Sequence, residues 1–259
     1  MSEHDASADG AADGAPSESP EKKKRKAGPP RDPELWIHRS MEKYRKTWHA
    51  HRYRPSPEFF ELADAVVETG RTLLGYDRLY VFWQVVQNVA KLPGVAAEIG
   101  TYQGGSAYFI AASFVGLAGA EVPFHVFDTF EGHPASAISE QDEFQTAGKF
   151  AKTSYDDVSA YLSPFKEIRL YKGDVRTSMP GLAEASYRFV HVDTDLYGPT
   201  KACLEYFAPR MVPGGVFVLD DYASPKCPGV RAALSEFVDQ TDAFQVWDLR
   251  TEQLILVKR

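Results

Sequence analysis

From residue 57 onward the apolar positions alternate between two rhythms. Phe59, Phe60, Ala63, Val66 and Val67 recur at helical spacing, and Leu79, Phe82, Trp83, Val86 and Val89 do so again, which predicts two helices ahead of any strand. The short run Val95 to Ile99 reads as the first strand, and Tyr108 to Leu117, beyond a glycine-rich loop, reads as a helix. Further strands are predicted at Phe124 to Phe127, Glu167 to Tyr171, Phe189 to Val192 and Val216 to Leu219. Helices are predicted near Tyr155 to Tyr161, along the stripe Cys203, Leu204, Phe207 and Met211, and along Val230, Leu234, Phe237 and Val238. Phe244 to Trp247 and Gln253 to Val257 close the pattern as strands. Strands buried on both faces and separated by helices predict an α/β fold with a doubly wound, mostly parallel sheet. Between the last two strands only Asp248 to Thr251 remain, enough for an antiparallel hairpin but not for a crossover helix.

The first part of the chain breaks this rhythm. No Val, Ile, Phe, Trp or Tyr precedes Trp36, and residues 1–34 are dominated by Ala, Ser, Gly, Asp, Glu and Pro, so a disordered tail is expected there. The run Lys22 to Lys26 is read as a solvated stretch that keeps this tail soluble. Residues 35–56 interleave Arg39, Lys43 and Arg45 with Tyr44 and Trp48, which suggests a basic aromatic arm or lid over a domain spanning 57–259.

Charge and composition narrow the partners. The formal net charge is −7, and residues 55–259 carry 17 Lys and Arg against 27 Asp and Glu. An acidic body repels phosphate backbones, so no nucleic acid is expected as partner. The apolar runs fall far short of the roughly 20 residues of a membrane helix, and the first residues lack the basic start and apolar stretch of a secretory signal. Only Cys203 and Cys227 occur, which is no disulfide framework and fits a reducing, cytoplasmic setting. No Gly-x-Ser-x-Gly elbow and no phosphate loop is present.

Ligands of open α/β sheets bind beyond the carboxyl ends of the strands, so the residues that follow each strand carry the chemistry. After the first strand stands Glu98-x-Gly100-Thr101-x-x-Gly104-Gly105-Ser106, where glycines let a backbone approach a ligand closely. The spacing is not the dinucleotide fingerprint and suits a cofactor without phosphates. The second strand runs into Asp128-Thr129, and a carboxylate there can accept from both hydroxyls of a ribose. Gly173-Asp174, after the third strand, is placed to hold an adenine. Four aspartates follow the next two strands: Asp193, Asp195, Asp220 and Asp221. Carboxylates brought so close need a counter-charge, and an all-oxygen set selects Mg²⁺ or a similar hard ion. Of the histidines, His125 is read as a packing residue, His191 as packed or supporting Asp193 on its own face of the strand, and His133 as a loop residue near the cofactor.

Taken together, these residues resemble the macrocin O-methyltransferase (TylF-like) family of sugar O-methyltransferases in natural-product biosynthesis. The resemblance rests on Glu98 to Ser106, Asp128 to Gly132, Phe150 to Ser154, Asp193 to Tyr197, and Pro213-Gly214-Gly215 leading to Asp220-Asp221-Tyr222 and Cys227. It implies the class I methyltransferase (Rossmann-like) fold, with a seven-stranded sheet ending in the antiparallel hairpin. It implies S-adenosylmethionine on the Gly100 to Ser106 loop, Asp128 and the Asp174 region, Mg²⁺ on Asp193, Asp220 and Asp221, and Asp195 as the base that serves the acceptor hydroxyl. The acceptor would be a small molecule, most directly a sugar of a glycosylated natural product, and the enzyme a homo-oligomer. A catechol or phenol acceptor and a non-catalytic S-adenosylmethionine-binding partner subunit are alternative readings. The chain departs from the family pattern at Gly173-Asp174-Val175-Arg176, where an aromatic residue commonly follows the glycine, and in its long charged tail.

Overall fold

The structure is a computed structural model that describes residues 56–179 and 184–259. The tail expected over 1–34 and all but Ser56 of the arm expected over 35–56 lie outside the described residues.

The two leading helices form where the apolar periodicity places them. Helix α1 spans Pro57–Val67 and is started by Ser56, whose hydroxyl accepts from the Phe59 amide at 3.4 Å, with proline in the first turn where its missing N–H costs nothing. Helix α2 covers Tyr76–Val89. Strand β1 (Val95–Ile99) leads through the glycine loop into α3 (Gly105–Ala118), which Gly119 ends in the left-handed conformation. Then follow β2 (Phe124–Asp128), a long irregular segment with one 3₁₀ turn at Ala135–Ala137, α4 (Tyr155–Leu162), β3 (Ile168–Lys172) and the short α5 (Val175–Ser178). The second half contains β4 (Tyr187–Val192), α6 (Tyr197–Phe207), β5 (Met211–Leu219), α7 (Pro228–Val238), β6 (Phe244–Asp248) and β7 (Leu254–Lys258).

One element differs from the expectation. Met211 continues the helical stripe of Cys203, Leu204 and Phe207 by spacing, yet it opens β5, because α6 stops at Phe207 and a 3₁₀ turn over Ala208–Arg210 redirects the chain. The methionine stays in the same core as the helix residues, so its burial pattern is unchanged while its backbone is extended.

The seven strands are ordered β3-β2-β1-β4-β5-β7-β6. The first five are parallel, and β7 runs antiparallel between β5 and β6. On one face Ala97, Ile99, Val190, Val192, Phe217 and Leu219 pack under α6 and α7. The opposite face is aromatic, with Phe189 edge-on to Phe82 of α2 and Phe114 of α3. The order reverses at β1 and β4, and the carboxyl ends of these two strands open the crevice where such sheets take ligands.

Candidate active site

The strand ends surround one open cleft of about 1100 Å³. On one side its wall is made by Gly100, Thr101, Tyr102, Ser106, Asp128 and Thr129, with Gly173 and Asp174 next to them; on the other stand Asp193, Asp195 and Asp221. Gly100 is required for a reason internal to the fold. With φ +88°, a Cβ there would come within 1.8 Å of the Asp193 carbonyl oxygen, so the glycine lets the end of β1 touch the end of β4. Gly104 is outside the cleft wall; at φ 84° it lets the chain turn into α3, close to Val158 of α4.

Asp128 is partly buried, and each of its oxygens accepts one backbone N–H, from Tyr102 at 2.8 Å and from Phe130 at 2.7 Å. Burial pushes its carboxyl up, and the backbone donors work against that shift. Two lone-pair sites remain for ligand hydroxyls, which fits the ribose of the expected cofactor. Glu98 takes a different place from the one expected. It is fully buried below the loop, accepts from the Thr101 hydroxyl at 2.7 Å, and is absent from the cleft wall. The reason is strand parity: Glu98 and His191 are register partners on β1 and β4, and both face the aromatic side of the sheet. Asp174 does line the cleft, but its carboxylate caps α5 through the Arg176 amide and is ion-paired with the Arg176 guanidinium at 2.5 Å, which overcomes burial and lowers its pKa. An adenine at this point would meet backbone and aliphatic atoms more than a free carboxylate.

The acidic side is more crowded. His191, fully buried, places Nδ1 2.9 Å from Glu98 and Nε2 3.3 Å from Asp220, and these two bonds override desolvation to raise its pKa to about 10. It is therefore a buried imidazolium between two carboxylates. Arg78 of α2 brings a second cation, 3.2 Å from Asp221, 3.5 Å from Asp220 and 3.1 Å from Glu252. A metal ion is expected as the simplest counter-charge; the chain also supplies two cations of its own, His191 and Arg78. They do not satisfy the cluster. Oδ1 of Asp220 is buried without a hydrogen bond, and burial with the charges of Asp220 and Asp221 drives the Asp193 carboxyl far up. Burial and the charge of Asp220 raise Asp221 to about 6, with Asp195 adding to them and Arg78 opposing. Asp193, Asp220 and Asp221 offer only oxygen donors, and Asp220 Oδ1 makes no hydrogen bond, which fits a hard dication. The ligand atoms nevertheless fall into two groups, each within 4.8 Å: His191, Asp193 and Asp220, and separately Asp195, Asp221 and Cys227.

Asp195 is distinct from its neighbours. His133 Nε2 lies 3.3 Å from one oxygen, the Cys227 thiol donates to the other at 3.2 Å, and the Lys149 ammonium stands 3.9 Å away. These contacts outweigh burial and lower its pKa, so it stays ionised while Asp193 is pushed towards neutrality. Neither Asp195 nor Asp221 is a helix N-cap: Leu196 holds that position for α6 and Cys227 for α7, both without a side-chain cap hydrogen bond. Both have left-handed backbone, φ 58° and 59°, as have Tyr102 and Phe150 in the cleft wall. Such conformations cost about 1 kcal/mol or more each in non-glycine residues and gather where a site needs them.

The spacing of residues therefore locates Gly100, Thr101, Ser106, Asp128, Thr129, Gly173, Asp174, Asp193, Asp195 and Asp221 around one cleft, with Asp220 directly behind it. It misses Arg78, Lys149 and the link from Glu98 through His191 to Asp220. His125 packs as expected, between Phe127, Tyr171 and Tyr187.

A parallel sheet of this order, closed by an antiparallel strand pair and carrying its cleft at the β1–β4 switch, is a class I methyltransferase fold. A family model described as macrocin-O-methyltransferase (TylF) matches residues 19–246, and the chain belongs to that family. The match reaches further into the N-terminal part than the motifs do, and it ends within β6. The chain is similar to the 8-demethyl-8-(2,3-dimethoxy-alpha-L-rhamnosyl)-tetracenomycin-C 4'-O-methyltransferase of Streptomyces olivaceus, 27% identical over 167 residues, which cover 60% of this chain and 64% of that one. It is also similar to the mycinamicin III 3''-O-methyltransferase of Micromonospora griseorubida, 26% identical over 183 residues covering 65% and 70%. Among solved structures, the O-methyltransferase NovP superposes with a TM-score of 0.64 at 21% identity, over 73% of this chain and 82% of that one. No helix among the described residues is long and apolar enough to cross a membrane.

Proposed function

We propose that the chain transfers a methyl group from S-adenosylmethionine to a hydroxyl of a small molecule, most specifically a sugar of a glycosylated natural product, with Mg²⁺ as cofactor. The observation that carries this is the single cleft in which the Asp128 side and the Asp193–Asp195–Asp221 side face each other. The named activities of the two relatives, 4'-O-methylation of a rhamnosyl-tetracenomycin C and 3''-O-methylation of mycinamicin III, support the acceptor class.

The sulfonium donor contributes an electrophilic methyl; its S–C bond breaks as the O–C bond to the acceptor forms. Thr101, Asp128 and Thr129 bind and orient the donor, and the loop from Gly100 to Ser106 lets its backbone lie close to it. Asp193, Asp220 and Asp221 would hold Mg²⁺, which supplies Lewis acidity towards the acceptor oxygen. Asp195, kept ionised by His133, Lys149 and Cys227, receives the hydroxyl proton. Its low basicity suits a path in which the proton leaves late, as positioning brings oxygen and methyl to about 3 to 3.5 Å. A homo-oligomer acting in the cytoplasm completes the proposal, and light scattering of the purified chain checks the oligomer.

The test is product formation by the full chain with S-adenosylmethionine and Mg²⁺ against three acceptor sets: glycosylated metabolites with free sugar hydroxyls, simple catechols, and no acceptor. Methylated sugar product with stoichiometric S-adenosylhomocysteine supports the proposal. Turnover of catechols alone replaces the acceptor class, and donor binding without any turnover points to a non-catalytic subunit.

A further inference from the structure

Arg78 stands in the first turn of α2, the end of a helix where the backbone dipole disfavours a cation. Its side chain is only 19% exposed. The placement is held from outside the helix: Nη1 is 3.2 Å from Asp221 Oδ1 and 3.5 Å from Asp220 Oδ1, while Nη2 is 3.1 Å from Glu252 Oε2. Glu252 belongs to the turn between β6 and β7, has left-handed backbone at φ 65°, and is tied to the loop after β5 by the Ala223 amide, which donates to its carbonyl at 3.2 Å. The guanidinium is therefore shared between an inner pair of carboxylates, at the proposed Mg²⁺ site, and an outer one that is 47% exposed.

We infer that Arg78 is the internal counter-cation of the acidic site: it holds Asp220 and Asp221 in place and sets how tightly a divalent cation binds them, with Glu252 as the anchor that draws the guanidinium aside. This rests on the reading of Asp193, Asp220 and Asp221 as a cation site. Its consequence has a sign that ordinary structural support does not share. A residue that only props up the site would, when replaced, loosen it and weaken metal binding. A competing positive charge a few ångströms from the ion would, when removed, tighten binding. Arg78 is thus a positioning residue.

The test is a titration of the full chain with Mn²⁺, without donor or acceptor, with free Mn²⁺ read by electron paramagnetic resonance. Relative to the parent protein, Arg78→Gln is expected to bind Mn²⁺ about tenfold more tightly or better, Arg78→Lys to stay within about threefold, and Glu252→Gln to bind about threefold more weakly, because the guanidinium then settles wholly on the inner pair. Chelated Arg78→Gln should melt below the parent and recover on adding Mn²⁺. Glu252→Gln changes a half-exposed side chain and keeps the inference testable if Arg78→Gln does not fold. Unchanged or weaker binding in Arg78→Gln, or unchanged or tighter binding in Glu252→Gln, overturns the inference while leaving the cation site intact. Binding gained only on replacing Arg78 supports it. Binding by neither the parent nor Arg78→Gln removes the cation site and the inference together.

Discussion

The two sides of the cleft solve opposite electrostatic problems. At the β1–β2 side a partly buried carboxylate, Asp128, is stabilised by two backbone amides, and among the described residues no cation pairs with it. At the β4–β5 side four aspartates crowd together, and the protein answers with Arg78, His191 and Lys149 while leaving one oxygen of Asp220 without a hydrogen bond. Backbone amides are fixed dipoles with nowhere to move, so the first side is a preformed cradle for a polar ligand. Side-chain cations can be displaced, so the second side is built to exchange partners. On the proposed reading, in which one side holds a nucleoside and the other admits a cation, the pocket has reason to divide its electrostatics in this way.

The division can be broken from either side. The largest effect is expected on the acidic side: Asp193→Ala should lower kcat by about 10³-fold or more while the affinity for S-adenosylhomocysteine, measured by calorimetry, changes by less than about threefold. A parallel collapse of nucleoside affinity would mean that the two sides are one electrostatic unit. Next comes the buried connection between them. His191→Phe leaves Glu98 and Asp220 facing each other without their shared imidazolium, and should cost about 3 to 5 kcal/mol in denaturant unfolding. Asp128→Asn keeps acceptor capacity on one atom and loses the charge; it should raise the KM for S-adenosylmethionine by about tenfold with kcat nearly unchanged.

The smallest effect lies at the rim. Arg71 pairs with Asp157 at 2.8 Å, but Asp157 is 55% exposed, so Asp157→Asn should cost less than about 1 kcal/mol. The hydrogen bond from Arg71 is the leading cause of the lowered Asp157 pKa. A carboxyl with a folded pKa below its unfolded one stabilises above the unfolded value, so this small contribution should be present at neutral pH and fade as pH falls below about 4. Parent and variant melting curves should converge in that range.

Much of the fold is legible because buried parallel strands are short apolar runs and the flanking helices have apolar faces of their own. The ends of elements are less so. Met211 continues a helical spacing only by coincidence, since Pro209, in the 3₁₀ turn after α6, ends the helix before it. The candidate site is legible where the information is local: a residue that follows a strand is at the cleft whatever its neighbours are. It is not legible where the partner is remote. Arg78 lies 143 residues before Asp221, inside a helix whose pattern explains itself by burial. Glu98 shows the limit of position alone, because standing near a strand end places it at the right height, whereas strand parity turned it inward to His191.

The most direct test of the account is anomalous diffraction from crystals of the full chain grown with S-adenosylhomocysteine and Mn²⁺. The account predicts the nucleoside against Asp128 and a manganese peak about 2.0 to 2.2 Å from oxygens of Asp193, Asp220 and Asp221, with the Arg78 guanidinium moved towards Glu252. A peak centred on Asp195, Asp221 and Cys227, or no peak at the strand ends with the nucleoside in place, would contradict it.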